Sequence, residues 1–152
     1  MKLLDILDKN AIIPELTSRH KKGVLEELCR ALARPGKMDK GALLEVLLER
    51  ERLGSTGIGE GIAIPHGKSN RIKELTIACG RSKEGVDFES MDGKPTHLFF
   101  LLLAPENTAG VHLKALAKIS RLLKDPSFRQ ELMAAPGAAE IFELISVRDS
   151  AF

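Results

Sequence analysis

Apolar residues recur at three- and four-residue spacing twice in the first third of the chain. Val24, Leu25, Leu28, Cys29 and Leu32 form one stripe, which predicts a helix over 19–34. Ser18 stands at the capping position, and Pro35-Gly36 marks the stop. Leu43, Leu44, Leu47 and Leu48 form a second stripe, predicting a helix from a cap at Asp39 to about Leu53, with Gly54 as its C-terminal glycine. Leu3, Leu4, Ile6 and Leu7 suggest a helical turn before these. The stretch 11–16 reads as a strand ending near Thr17.

The middle of the chain changes period. Short apolar runs at 61–64 and 75–79 predict strands, 86–88 a short edge piece, and Asp92-Gly93 a turn. Residues 98–103 are all apolar, as expected of a strand buried on both faces. Helical spacing then returns. A helix beginning near Thr108 and ending near Lys124 has Val111, Leu113, Leu116, Ile119, Leu122 and Leu123 as core candidates. Asp125-Pro126 is a cap with proline in the first turn, opening a helix to Ala135. Pro136-Gly137 breaks it, and a last helix runs to about Ser146. The tail, from about Val147 to Phe152, reads as loose, leaving 1–147 as the domain and 148–152 outside it. Helices before, between and after five strands predict a single α/β domain, its sheet covered by helices on both faces.

With 152 residues the chain suffices for one domain with a proper core. A net charge of +2, six Phe and no Trp or Tyr argue against a nucleic-acid partner. Cys29 and Cys79 have no CxxC spacing and fit a reducing cytoplasm. Asp5 and Asp8 interrupt the N-terminal apolar run, which is therefore not a signal peptide. The run 98–104 is far shorter than the roughly 20 residues of a membrane span.

One stretch serves no core. RERLGSTGIGEGIAIPHGKS, residues 50–69, holds Gly54, Gly57, Gly59, Gly61 and Gly67, with His66 between Pro65 and Gly67. GIAIPHGKS is close to a P-loop, but five residues in place of four separate Gly61 from Gly67, and no helix follows Lys68. The alternative is a nucleophilic imidazole on a rigid bend. Pro65 stiffens the approach, and Gly67 would leave space beside the ring. Ser55, Thr56 and the glycine amides, Gly57 among them, would hold phosphate oxygens, with Arg50 and Lys68 offsetting their charge. On composition alone the plainer alternative, an ordinary turn histidine with a satisfied ring, is favoured over the nucleophile. His20 and His97 look ordinary and share no metal spacing with His66.

LGSTGIGEGIAIPHGK resembles the signature of the fructose/mannitol-type enzyme IIA domain of the bacterial phosphotransferase system, nearest its nitrogen-regulatory branch. The resemblance extends over nearly the whole chain. It implies a mixed sheet between helices and a phosphorylated His66. It also carries an arginine onto Arg50 and a second histidine onto His112. The start of a helix suits that residue, because the helix N-terminus favours phosphate and disfavours a protonated ring. Glu60 stands where many relatives have a small polar residue, and is expected to face water. The resemblance implies an HPr-like donor and either a regulatory target or a separate IIB protein as the next partner. It implies no metal or cofactor, no membrane insertion and a cytoplasmic location. The absence of a fused IIB or IIC segment in these 152 residues favours the regulatory role. A plain α/β binding domain would leave the glycine-histidine stretch idle.

Overall fold

The computed structural model describes residues 2–32 and 39–150. A 3-10 turn at Leu3–Asp5 leads into β1 (Leu7–Ile13), α1 (Lys21–Leu32) and α2 (Lys40–Arg52). Three short strands follow: β2 (Gly57–Gly59), β3 (Ile62–Ala63) and β4 (His66–Ser69). Two long ones come next, β5 (Thr76–Val86) and β6 (Thr96–Pro105). The chain closes with α3 (Ala109–Leu123), α4 (Pro126–Ala134) and α5 (Ala138–Ser150).

β6 is the axis of the mixed sheet. β5 lies antiparallel on one side, and β3 and β4 lie parallel on the other. β1 adds parallel to β5, and β2 antiparallel to β3. Residues 98–104 are buried throughout, because helices cover both faces. Side chains alternate across a strand. Leu98, Phe100 and Leu102 therefore join the core under α3, α4 and α5, whereas Phe99, Leu101 and Leu103 join the core under α1 and α2. No helix among the described residues is long and apolar enough to cross a membrane.

Local signals held well. Asp39 accepts the Gly41 N–H at 3.0 Å and Asp125 the Ser127 N–H at 2.9 Å, each capping its helix. The Ser18 hydroxyl accepts the His20 N–H, and α1 starts two residues later than expected, at Lys21. Its expected end, at 34, and the Pro35-Gly36 stop lie outside the described residues.

Elsewhere the structure corrects the sequence reading. β1 spans Leu7–Ile13 rather than 11–16; the polar run Asp8, Lys9 and Asn10 hides an edge strand that needs apolar contacts on fewer positions. Val86 ends β5 and is not a separate edge piece. β2 and β4, neither of them expected, bring the sheet to six strands. On α3, Val111 and Leu113 are exposed, and His112 and Lys118 are buried instead. Residues 148–150 are not a loose tail, because α5 continues to Ser150. Asp149 is fully buried there, 2.7 Å from the Lys118 ammonium and 3.2 Å from the Leu4 N–H. Burial opposes its ionisation, but Lys118 and the Leu3 and Leu4 amides hold its carboxyl below the ordinary range. Residues 151–152 lie outside the description. Arg81, buried in β5, donates to the carbonyls of Pro14 (3.0 Å), Leu132 (2.8 Å) and Ala135 (2.6 Å). It thereby joins the end of β1 to the C-terminus of α4, whose last carbonyls lack helical partners.

Candidate functional site

His66 opens β4 and does not sit on a free bend. The Pro65 carbonyl accepts the Leu102 N–H at 2.8 Å, and His66 and Lys68 then lie opposite Leu102 and Ala104 of β6. Alternation turns both toward the α3 layer and turns Gly67 toward α2. A Cβ on Gly67 would come within 2.6 Å of Val46 Cγ1. The glycine therefore lets α2 close on β4, rather than leaving space beside the ring.

The approach to His66 is a tight hairpin. Glu60 and Gly61 carry positive φ, 57° and 79°, between the paired Gly59 and Ile62, as a two-residue turn of primed type requires. Glu60 faces water, as expected, and reaches Arg129 at 3.4 Å.

The imidazole is half-buried, with Nδ1 2.8 Å from the Ile64 carbonyl. A carbonyl only accepts, so Nδ1 carries the proton and the neutral ring keeps its lone pair at Nε2. Burial pushes the ring below the ordinary value of 6.5, and Arg50 adds to this; the Ile64 hydrogen bond and Glu51 act in the opposite direction. The His112 ring centroid lies 5.6 Å from that of His66, at 55°. His112 is in the first turn of α3, 5% exposed, and its Nδ1 has no partner among the described residues. Burial lowers its basicity too, with His66 and Lys68 adding to the effect. Both rings are thus kept neutral.

A cleft of about 420 Å³ opens over these groups, lined by Val46, Arg50, Leu53, His66, Lys68 and His112 among others. Arg50 donates one guanidinium hydrogen bond to the Gly54 carbonyl at 3.0 Å, which leaves further donors for the cleft. Lys68 is exposed and makes no ion pair among the described residues. Glu49, also on the rim, is engaged by Arg52 at 2.6 Å. The cleft is therefore cationic. Leu53 (85% exposed) stands on its rim, and Val111 and Leu113 flank His112 in the chain, also exposed. Among the described residues, no group of His, Cys, Asp and Glu is arranged to hold a metal ion.

Ser55, Thr56 and Gly57 do not join this cleft. The Ser55 hydroxyl donates to the Phe88 carbonyl at 2.8 Å and accepts the Gly57 N–H at 3.0 Å. Thr56 is buried, and its hydroxyl and amide both donate to the Glu51 carboxylate. The Ser55 and Thr56 hydroxyls and the Thr56 and Gly57 amides are thus engaged within the loop. Glu51 itself carried no sequence signal apart from standing beside Arg50. His20 is exposed and bridges Asp87 through its backbone, and His97 is half-buried in β6.

The fold thus brings an imidazole at a sheet edge beside a second one at a helix N-terminus, under a cationic rim, in a small α/β domain. The chain belongs to the family described as phosphoenolpyruvate-dependent sugar phosphotransferase system, EIIA 2, whose model matches residues 5–147. It is 42% identical over 147 residues to a nitrogen regulatory protein of Bradyrhizobium diazoefficiens, covering 97% of this chain and 96% of that one. It is also 42% identical over 150 residues to the PTS system fructose-specific EIIABC component of Bacillus subtilis. That match takes 98% of this chain but spans only 24% of that relative's length. The crystal structure of nitrogen regulatory protein IIA-Ntr from Neisseria meningitidis superposes with a TM-score of 0.88 at 38% identity, covering 94% of this chain and 98% of that one.

Proposed function

We propose that Nε2 of His66 accepts a phosphoryl group from a phosphohistidine on a small HPr-like carrier, and that the chain serves mainly as a regulatory component of a cytoplasmic phosphotransferase relay. The observation that carries this reading is the Ile64 carbonyl on Nδ1, which leaves the nucleophilic lone pair at Nε2 of a half-buried neutral ring. The Nε2 lone pair attacks phosphorus, and the donor's P–N bond breaks. The electron pair of that bond stays with the donor ring, which takes up a proton from solvent, while the phosphorylated His66 ring keeps its Nδ1–H on the Ile64 carbonyl and carries the positive charge. Such transfer depends mainly on alignment and charge stabilisation. Arg50 and Lys68 offset the charge of the phosphoryl oxygens. His112, neutral and with an unpartnered Nδ1, supplies a hydrogen bond to the phosphorylated ring or its phosphate.

The regulatory role is supported by end-to-end similarity to the nitrogen regulatory protein. Phosphorylation then acts as a charge switch on a docking surface. A second reading, a sugar-transport IIA passing the group to a separate IIB protein, is favoured by equal identity to the fructose-specific relative.

Incubation with phosphoenolpyruvate, enzyme I and an HPr-like carrier tests the chemistry. An acid-labile phosphate is expected on the native chain and none on His66→Ala. Equal labelling of the variant overturns the assignment.

A further inference from the structure

A carboxylate is buried just behind the cleft. Glu51 follows Arg50 on α2, and its side chain is 4% exposed. Burying a carboxylate is expensive unless it is paired and hydrogen-bonded. Here the Lys21 ammonium of α1 lies 2.9 Å from Oε1 and also meets the exposed Glu89 carboxylate at 3.3 Å, with the Phe88 ring 5.0 Å from the same ammonium. Oε1 also accepts the Thr56 N–H at 3.1 Å, and Oε2 accepts the Thr56 hydroxyl.

From Thr56 the bonding continues to the imidazole. The Thr56 carbonyl accepts the Ile64 N–H at 3.1 Å, and the Ile64 carbonyl accepts the His66 Nδ1–H at 2.8 Å. Successive hydrogen bonds, linked through the Thr56 and Ile64 backbones, thus tie the ion pair to the ring across α1, α2, the Gly54–Thr56 loop and the residues before β4. Both polar groups of Ile64 are committed to this line. A neutral imidazole otherwise divides between two tautomers, and only one of them has its lone pair at Nε2.

We infer that Glu51, its charge balanced by Lys21, is a positioning residue that acts through Thr56 and Ile64 to hold His66 in the Nδ1–H tautomer with Nε2 facing the cleft. The inference rests on His66 being the phosphoryl acceptor. Outer partners that orient a ligand or nucleophile typically change activity about 10–100-fold when removed.

Three variants test it. Glu51→Gln keeps the size and removes the charge that Lys21 answers. Thr56→Val removes the hydroxyl, and Thr56→Ser keeps it. Proton–nitrogen correlation spectra of the His66 ring at about pH 8, above the ordinary imidazole value, report the tautomer directly. Single-turnover phosphoryl transfer from a phosphorylated HPr-like carrier reports the chemistry. The native ring should show Nδ1–H alone. Glu51→Gln and Thr56→Val should show a mixed tautomer population. Their transfer rate constant should fall about 10–100-fold, with the half-saturating carrier concentration nearly unchanged. Thr56→Ser should stay near native in both measurements. Should Glu51→Gln fail to fold, the two Thr56 variants still decide. Native spectra and native rates in Glu51→Gln and Thr56→Val would overturn the inference. The spectra need no phosphoryl donor, so a native chain that takes no phosphate sinks the acceptor assignment while the tautomer measurement still stands.

Discussion

His66 and His97 make the same bond in different surroundings. Each gives Nδ1–H to a backbone carbonyl at 2.8 Å, that of Ile64 and that of Ser82 respectively. Each is half-buried, and each lines a cleft, of about 420 Å³ and 510 Å³. They stand near opposite ends of β6. Beside His97 the charges cancel: Glu60 meets Arg129 at 3.4 Å, and Arg129 is further committed to the Leu123 and Lys124 carbonyls at 2.7 and 3.0 Å. Beside His66 they do not. Arg50 keeps free donors, Lys68 has no acidic partner among the described residues, and a second imidazole with an unpartnered Nδ1 lies 5.6 Å away. A fixed tautomer is therefore not enough to make a site. Unspent positive charge on the rim of the cleft and a second imidazole beside the first separate the two.

The sharpest way to break this comparison is to delete each ring in turn. His66→Ala should abolish phosphoryl labelling, whereas His97→Ala should be labelled at close to the native rate. A labelled His66→Ala, or an unlabelled but folded His97→Ala, would show that the wrong end of β6 has been chosen.

The neighbouring arginines should separate chemistry from stability. Arg50→Ala is expected to slow transfer about 100–1,000-fold, as loss of one charge-stabilising donor does, with little change in urea unfolding. Arg129→Ala should lose about 1–2 kcal/mol of stability, from two hydrogen bonds to the last carbonyls of α3, while transferring phosphate normally. The reverse pattern would overturn the contrast between the two clefts.

A smaller effect is expected at His112. His112→Ala should still accept phosphate but pass it on or retain it up to about tenfold less well, the worth of one hydrogen bond, as judged by transfer and hydrolysis rates of the phosphorylated chain. Unchanged rates would remove His112 from the mechanism.

The smallest effect is the pH response. The nucleophile is the neutral ring, and burial sets its protonation below the ordinary value of 6.5. Transfer should therefore stay flat as pH falls through 6.5 and decline only below it, provided the donor is held constant. The same depression, at His66 and His112, means that the unfolded chain binds more protons than the folded one below 6.5. Stability from these rings is full above 6.5 and is lost as pH falls toward their folded values. Replacing both rings by Gln should flatten that slope in urea titrations. A native chain whose stability rises on acidification through this window would contradict the assignment.

Much of the fold was legible because its signals are local. An aspartate two residues before the amide it caps, a stripe at three and four residues and an unbroken apolar strand each depend on near neighbours alone. Asp39, Asp125 and residues 98–103 belong to this class. The glycine-histidine stretch belongs to it as well, because its string of residues carries the family resemblance. His66, Arg50, Lys68 and His112 were all named from the sequence, and they line one cleft. Ser55, Thr56 and Gly57 were named for the wrong work. Hydroxyls and amides near a glycine loop look available until the carboxylate and carbonyls that occupy them are known.

Read alone, the chain yields the class of fold, the helix caps at Asp39 and Asp125, the doubly buried strand and four of the side chains that line the cleft. Tertiary structure alone decided that His66 starts a strand, that Gly67 makes room for Val46, and that Arg81, Lys118, Asp149 and Glu51 are buried with partners far away in the chain. The reason is one of range. Capping and periodicity are settled within a turn or two, where the chain cannot avoid its own neighbours. A four-residue strand and a buried charge are stable only if a particular distant group arrives, and no local pattern records which group that will be.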